Sequence, residues 1–366
     1  MSSEIIDALN VLKHNGYINN INKEHIITAC EKGNIEILQW YKNEFDLIGY
    51  YEAIDKASSN GHIHILQWFK DNQSDFYEYV SLRRDTIRKA SFNGHVDVLQ
   101  WWKDNCSQFK YNYDKDCIKL ACQNGRVNVL QWWKNSGLEF KYDENAIKNA
   151  VIYNQINVLE WWKNSDYIIE YQPIRNCDIG ILDCANSIKL LQWWKNSSYE
   201  MNYTDYATNY ATQCNNIHIL QWWKNSGLEF KYDDKVLVVA AERGHIDALQ
   251  WWKNSNYQLD YNKSSLFVIC GASLYGHVNV LQWWKNNGFD FKYYDNEKYI
   301  NAINSASYSG HINVLEWFHN SEYEFKYNDF VTYHFKDYKL EIVSKWFKEK
   351  NYSFTINNDL TEFSDY

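Results

Sequence analysis

The chain has 366 residues, a single proline, a formal net charge of −9 and a pI near 5.7. Its 18 Trp, 30 Tyr and 17 Phe exclude a disordered, collagen-like or proline-rich chain and provide the side chains for a large core. The acidic balance argues against a nucleic-acid partner, which would need clustered Lys and Arg, and no apolar run reaches the about 18 residues of a membrane span.

In chain order, the start Met1-Ser2-Ser3-Glu4 lacks the basic and apolar regions of a signal peptide, so a cytoplasmic protein is expected. Ile6, Leu9 and Leu12 predict a capping helix within residues 1–20. From 21 to 350 one phrase recurs, seen as Val98-Leu99-Gln100-Trp101-Trp102-Lys103, with its first Trp at 40, 68, 101, 132, 161, 193, 222, 251, 283, 317 and 346. The spacings run from 28 to 34, and the second position is Trp in seven copies and Tyr or Phe in four. Every tryptophan therefore belongs to the repeat, and internal repetition at this period predicts a stacked array. Residues 351–366 form an acidic tail.

Within a unit, Val96, Val98, Leu99, Trp101 and Trp102 cover a broad helical arc, leaving Asp97, Gln100 and Asp104 on a polar stripe. Upstream, Ile118, Ala121 and Cys122 mark a first helix, whose alanine recurs at 29, 57, 90, 121, 150, 211, 240, 272 and 306. Between the two helices stand Gly33, Gly61, Gly94, Gly125, Asn154, Asn186, Asn215, Gly244, Gly276 and Gly310, residues that tolerate a left-handed turn. Five histidines (His62, His95, His245, His277, His311) follow the turn and read as helix-start residues, not metal ligands. A tyrosine commonly comes ten residues after the first Trp (Tyr111, Tyr142, Tyr203, Tyr232), and Phe140 with Tyr142 is expected to pack under the next unit. Trp101 and Trp132 are both expected in the core, Gly94 and Gly125 at the turns, and Cys122 and Cys184 inside first helices as reduced thiols.

A period near thirty with Ala90 followed by Asn93-Gly94-His95-Val96-x-Val98-Leu99 resembles the ankyrin repeat over about residues 21–350. The Thr-Pro-Leu-His opening of that family is absent and the finger is short, a form similar to the ankyrin-repeat proteins of amoebae and their giant DNA viruses. The resemblance implies an all-α, ankyrin-type α-solenoid: a capping helix, eleven helix-turn-helix repeats with short finger loops, and a tail. It further implies a non-enzymatic scaffold that binds a protein partner through its concave face, as a monomer, in host cytoplasm if viral. Two alternatives are a substrate receptor for a ubiquitin ligase and a structural or virion component without a transient ligand.

No Gly-x-Ser-x-Gly, phosphate loop or Cys–His signature predicts catalysis, and no cofactor or metal is expected. Arg83, Arg84, Arg88 and Lys89 concentrate positive charge on the third unit's first helix in a chain with six arginines, marking a candidate partner-binding face. The bland alternative is a solvated face neutralised by nearby carboxylates. The fifth to seventh units are irregular, with Asn at the turn and Pro173 in a finger, so a local break in the stack is expected there.

Overall fold

A computed structural model describes residues 2–16, 23–44, 51–72, 84–106, 113–167, 180–292, 294–295, 300–327 and 337–352. Among these are 21 helices and one two-residue antiparallel ladder, Tyr294–Asp295 against Ile300–Asn301, so the protein is all-helical apart from that ladder. It divides into two compact units, Met1–Gln172 with Trp193–Tyr199, and Pro173–Gln192 with Glu200–Tyr366.

The fourth repeat shows why the sequence folds as it does. Asp114 accepts the Asp116 amide at 3.1 Å and starts the first helix, Lys115–Gln123, which buries Cys117, Ile118, Ala121 and Cys122 along one stripe. The helix stops because Gly125 takes φ +69°, which lets the Arg126 amide reach back to the Ala121 carbonyl at 2.9 Å. That bond returns to the alanine row in other repeats: His95 to Ala90, Gln155 to Ala150, His245 to Ala240 and His277 to Ala272. The second helix, Val127–Asn135, buries Val129, Leu130 and Trp133 and ends where the Ser136 hydroxyl donates to the Trp133 carbonyl. First helices pack on first helices, Lys115–Gln123 lying between Arg84–Asn93 and Glu144–Ile152. Gly94 has φ +91°, and Asn154 and Asn215 take the same left-handed conformation. Asn186 does not.

The sixth repeat departs from the pattern. In place of a first helix, residues 181–184 form turns ahead of the second helix, Ile188–Asn196. Asp183, fully buried, accepts the amides of Gly180 at 2.6 Å and Thr204 at 2.7 Å and the Thr204 hydroxyl at 2.6 Å. Burial raises its carboxyl above the ordinary range, a rise those three bonds oppose. Pro173 lies outside the described residues. At the N-terminus the capping helix is Ser2–His14, but Leu12 is exposed; the attachment runs through Asn10, which accepts the Trp40 indole N–H at 2.7 Å.

The two tryptophans of each phrase play different parts. The second is fully buried in Trp102, Trp133, Trp162, Trp194, Trp223, Trp252 and Trp284. The first varies: Trp101 is 8% exposed, whereas Trp132 is only half-buried, so its expected place in the core is corrected. Instead the first Trp clasps the preceding repeat. Its indole N–H donates to that repeat's glutamine in Trp68–Gln39 (3.0 Å), Trp101–Gln67 (3.1 Å), Trp132–Gln100 (2.8 Å) and Trp161–Gln131 (3.0 Å) of the first compact unit. The same bond joins Trp251–Gln221, Trp283–Gln250 and Trp317–Gln282 in the second. The glutamine amide is held in turn by the Asp or Asn four residues on, as Gln100 by Asp104 at 2.8 Å.

Two rungs carry glutamate. Glu160 accepts from Trp193 at 2.6 Å and Glu316 from Trp346 at 2.6 Å. The indole N–H in each case holds the carboxyl below its ordinary value of 4.5. A depressed pKa stabilises the fold above the ordinary value and loses that contribution as pH falls through the folded value. Glu160→Gln is therefore expected to lower the neutral-pH melting temperature slightly and to flatten its acid limb below about pH 4.5, because glutamine still accepts the indole N–H but carries no charge to lose. Thermal melts across that range check it, and an unaltered acid limb would contradict the rung.

Candidate binding surface

Three further rows stitch repeat to repeat and decide which residues remain free for a partner. At the turn, the residue after the glycine caps the preceding repeat: His62 Nε2 meets the Glu31 carbonyl at 3.0 Å, Arg126 Nε the Phe92 carbonyl at 3.1 Å, Gln155 that of Gln123 at 3.0 Å, and His277 that of Glu242 at 3.0 Å. His95, His245, His277 and His311 each precede a second helix, as expected from their spacing. The position requires a side-chain N–H, so Arg and Gln substitute for His. Two residues on, Asn128 and Asn157 donate to the turn carbonyls of Gly94 and Gly125 at 2.9 and 3.1 Å.

Fingers pack beneath the following second helix. Phe140 stacks on Tyr167 with centroids 4.2 Å apart, and Tyr142 lies 5.0 Å from Trp162. Phe230 on Tyr257 repeats the stack at 4.2 Å in the second compact unit. In the third finger the structural tyrosine is Tyr113, 5% exposed and donating to the Glu139 carbonyl at 2.9 Å, as Tyr203 does to Glu229. Tyr111 lies outside the described residues.

Of the basic face expected on the third repeat, Arg88 and Lys89 are spent on its neighbours. Arg88 forks onto Asp114 and reaches Asp116 at 3.0 Å in the fourth repeat, while Lys89 lies 3.8 Å from Asp55 in the second. Arg88 is thus an inter-repeat tie, not a free cation. Arg83 is outside the described residues, and Arg84 opens the helix Arg84–Asn93 with its side chain undescribed. Cys122 is buried, its thiol pushed up to about 12 by burial, and it accepts the Trp162 indole N–H at 3.4 Å. Cys184, expected inside a first helix, is only half-buried and lies in the turns of residues 181–184. Among the described residues no group of three His, Cys, Asp or Glu side chains could hold a metal ion, and no helix is long and apolar enough to cross a membrane.

What distinguishes the two compact units is the outward face of their first helices. In one register, five, two and one residues before the row alanine, the first unit carries Glu52, Asp55 and Lys56, then Asp85, Arg88 and Lys89, then Asp116, Lys119 and Leu120. Ion pairs between repeats tie this face together, including Lys23–Glu52 at 3.2 Å, Lys56–Glu31 at 3.1 Å and Lys115–Asp143 at 2.6 Å. At the same three positions the second unit carries Tyr206, Asn209 and Tyr210, then Lys235, Val238 and Val239, then Phe267, Cys270 and Gly271. Tyr206 is 37% and Phe267 50% exposed, and the Tyr206 and Tyr210 rings lie parallel with centroids 6.3 Å apart. Sequence reading missed this row because exposure, not residue type, separates it from the core aromatics.

Compared with protein-family models and with curated proteins, the chain matches none.

Proposed function

We propose that the protein is an ankyrin-type α-solenoid acting as a non-enzymatic scaffold, which binds a protein partner along the face of its first helices, the face made concave by the ankyrin resemblance. The observation that carries this reading is the set of exposed Tyr206 and Phe267 with half-buried Tyr210, Val238 and Val239 on three successive first helices. Aromatic side chains left exposed on a chain whose tryptophans are otherwise spent on internal packing mark a contact surface. The second-helix surface offers less, since its tryptophans and glutamines already bind one another.

Affinity capture with mass spectrometry from the native cell tests the reading, comparing the wild type with Arg83→Glu/Arg84→Glu and with Phe267→Glu. One specific partner, retained by the wild type and lost by one of the two variants, is the expected result. Enrichment of nothing but the protein itself would overturn it in favour of a structural, self-assembling role.

A further inference from the structure

Five asparagines of the chain are followed directly by glycine: Asn15, Asn60, Asn93, Asn124 and Asn287. The pair is chemically reactive, because glycine has no side chain to keep its nitrogen away from the asparagine carboxamide. What holds the carboxamide separates the five. Asn60 donates its Nδ2 to the Lys56 carbonyl at 2.8 Å, and Asn287 to that of Trp283 at 2.7 Å. Asn93 and Asn124 reach into the preceding repeat, to the Ser59 carbonyl at 2.6 Å and the Phe92 carbonyl at 3.0 Å. Of the five, only Asn15 is exposed with no hydrogen-bond partner for its side chain among the described residues. The glycine nitrogens do not sort them the same way, since each donates to a carbonyl three or four residues back. Gly16 reaches Lys13 and Gly288 reaches Lys285, both at 3.0 Å, and the longest of these bonds, at 3.4 Å, belong to Gly61 and Gly125, whose asparagines are pinned.

We propose that Asn15 is a site of spontaneous deamidation, and that its conversion loosens the N-terminal cap of the array. The Gly16 nitrogen attacks Asn15 Cγ and gives up its proton, the Cγ–Nδ2 bond breaks, and ammonia leaves with that proton. Water then opens the cyclic imide at one carbonyl or the other, giving aspartate or isoaspartate. An amide and a water thus become an acid and ammonia, with no oxidant, metal or enzyme required. Cγ must swing onto the next backbone nitrogen for this attack, and a carboxamide bonded to a carbonyl of its own helix or of the preceding repeat is held away from it. Asn15 directly follows the capping helix Ser2–His14, so either product places a negative charge at that helix's C-terminal end, where the macrodipole opposes it. Isoaspartate also adds a methylene to the main chain beside Gly16, whose φ is +72°. The helix is tied to the first repeat by Asn10, which accepts from Trp40, and by the Lys13–Glu44 ion pair. A terminal repeat that loses its cap presents an open packing face, and Trp40, 6% exposed, contributes to it here. The inference is independent of the scaffold reading.

Peptide mapping by mass spectrometry, on the full chain aged at mildly alkaline pH, tests the site. Asn15 is expected to convert first, with both isomers present, while Asn60, Asn93, Asn124 and Asn287 stay intact; in urea those four should convert as well. Asn15→Gln, whose longer side chain disfavours the cyclic imide, should abolish conversion at that position. Hydrogen exchange tests the consequence: in Asn15→Asp, residues 2–14 should exchange about two- to fivefold faster, the equivalent of one adverse charge at a helix terminus, with the repeats still protected. Conversion of a pinned asparagine ahead of Asn15, no conversion at Asn15, continued protection of the four in urea, or exchange indifferent to Asn15→Asp would each overturn the proposal.

Discussion

Replacing Trp162 by alanine is expected to cost about 3–5 kcal/mol, the range for emptying a fully buried aromatic site. Trp161→Ala, one residue away, is expected to cost on the order of 1–2 kcal/mol. The two rings touch edge to face at 5.4 Å, yet their surroundings differ. Trp162 is 1% exposed, sits against Phe140 and Tyr142 of the preceding finger, and gives its N–H to Cys122. Trp161 is half-buried and loses one hydrogen bond, to Gln131, plus partial burial. Because each repeat contacts only its neighbours, the Trp162 cavity should also split a single unfolding transition into two. Equilibrium denaturation of both variants checks the ranking, and equal losses would contradict the division of labour between the two positions.

Gly244→Val should cost about 2–3 kcal/mol. Its φ of +71° alone costs a side-chain-bearing residue about 1–2 kcal/mol. A Cβ there would also lie 2.6 Å from His277 Nδ1, and the ring cannot retreat without leaving the Glu242 carbonyl, a hydrogen bond worth about 1 kcal/mol. Burial lowers the pKa of His277, which favours the neutral ring whose Nε2–H makes that bond. Gly94→Val provides the comparison. Its Cβ meets the flexible Arg126 side chain at 3.0 Å, so backbone strain dominates and the cost should stay near 1–2 kcal/mol. Melting curves that rank Gly94→Val as the costlier substitution would remove the capping role of His277.

Much of the repeat was legible because backbone requirements leave marks in residue type. Gly and Asn suit a left-handed turn best, and Gly94, Gly125, Asn154 and Asn215 all adopt it. Only a small residue suits the close approach of first helices, and Ala90, Ala121 and Ala150 are fully buried there. The alternation of Phe140 and Tyr142 likewise pointed to packing under the next unit, and both rings lie there.

What escaped notice depends on which neighbour a side chain meets. Gln100 lies on the polar stripe of its helix, but its oxygen belongs to Trp132 of the following repeat and its amide to Asp104. Helical periodicity registers that such a residue is polar and carries no information about a partner 32 residues away. Arg88 likewise appeared as charge density, and its commitment to Asp114 follows only from stacking the third repeat on the fourth. Tyr113 stands eight residues before Ala121, as Tyr142 does before Ala150, a register counted from the following alanine and not from the preceding Trp. The sixth repeat keeps its Trp pair, but its described residues 181–184 form turns that Asp183 anchors to Thr204.

The central claim is that first helices face a partner while second helices hold the array together. It is tested most directly by measuring partner capture and melting temperature on the same two variants, Phe267→Glu and Gln250→Ala. Phe267→Glu is expected to lose the captured partner at an unchanged melting temperature; Gln250→Ala, which removes the acceptor of the Trp283 indole, should lower the melting temperature and keep the partner. The reverse pattern, with capture lost on the second-helix substitution and stability lost on the first, would contradict the claim.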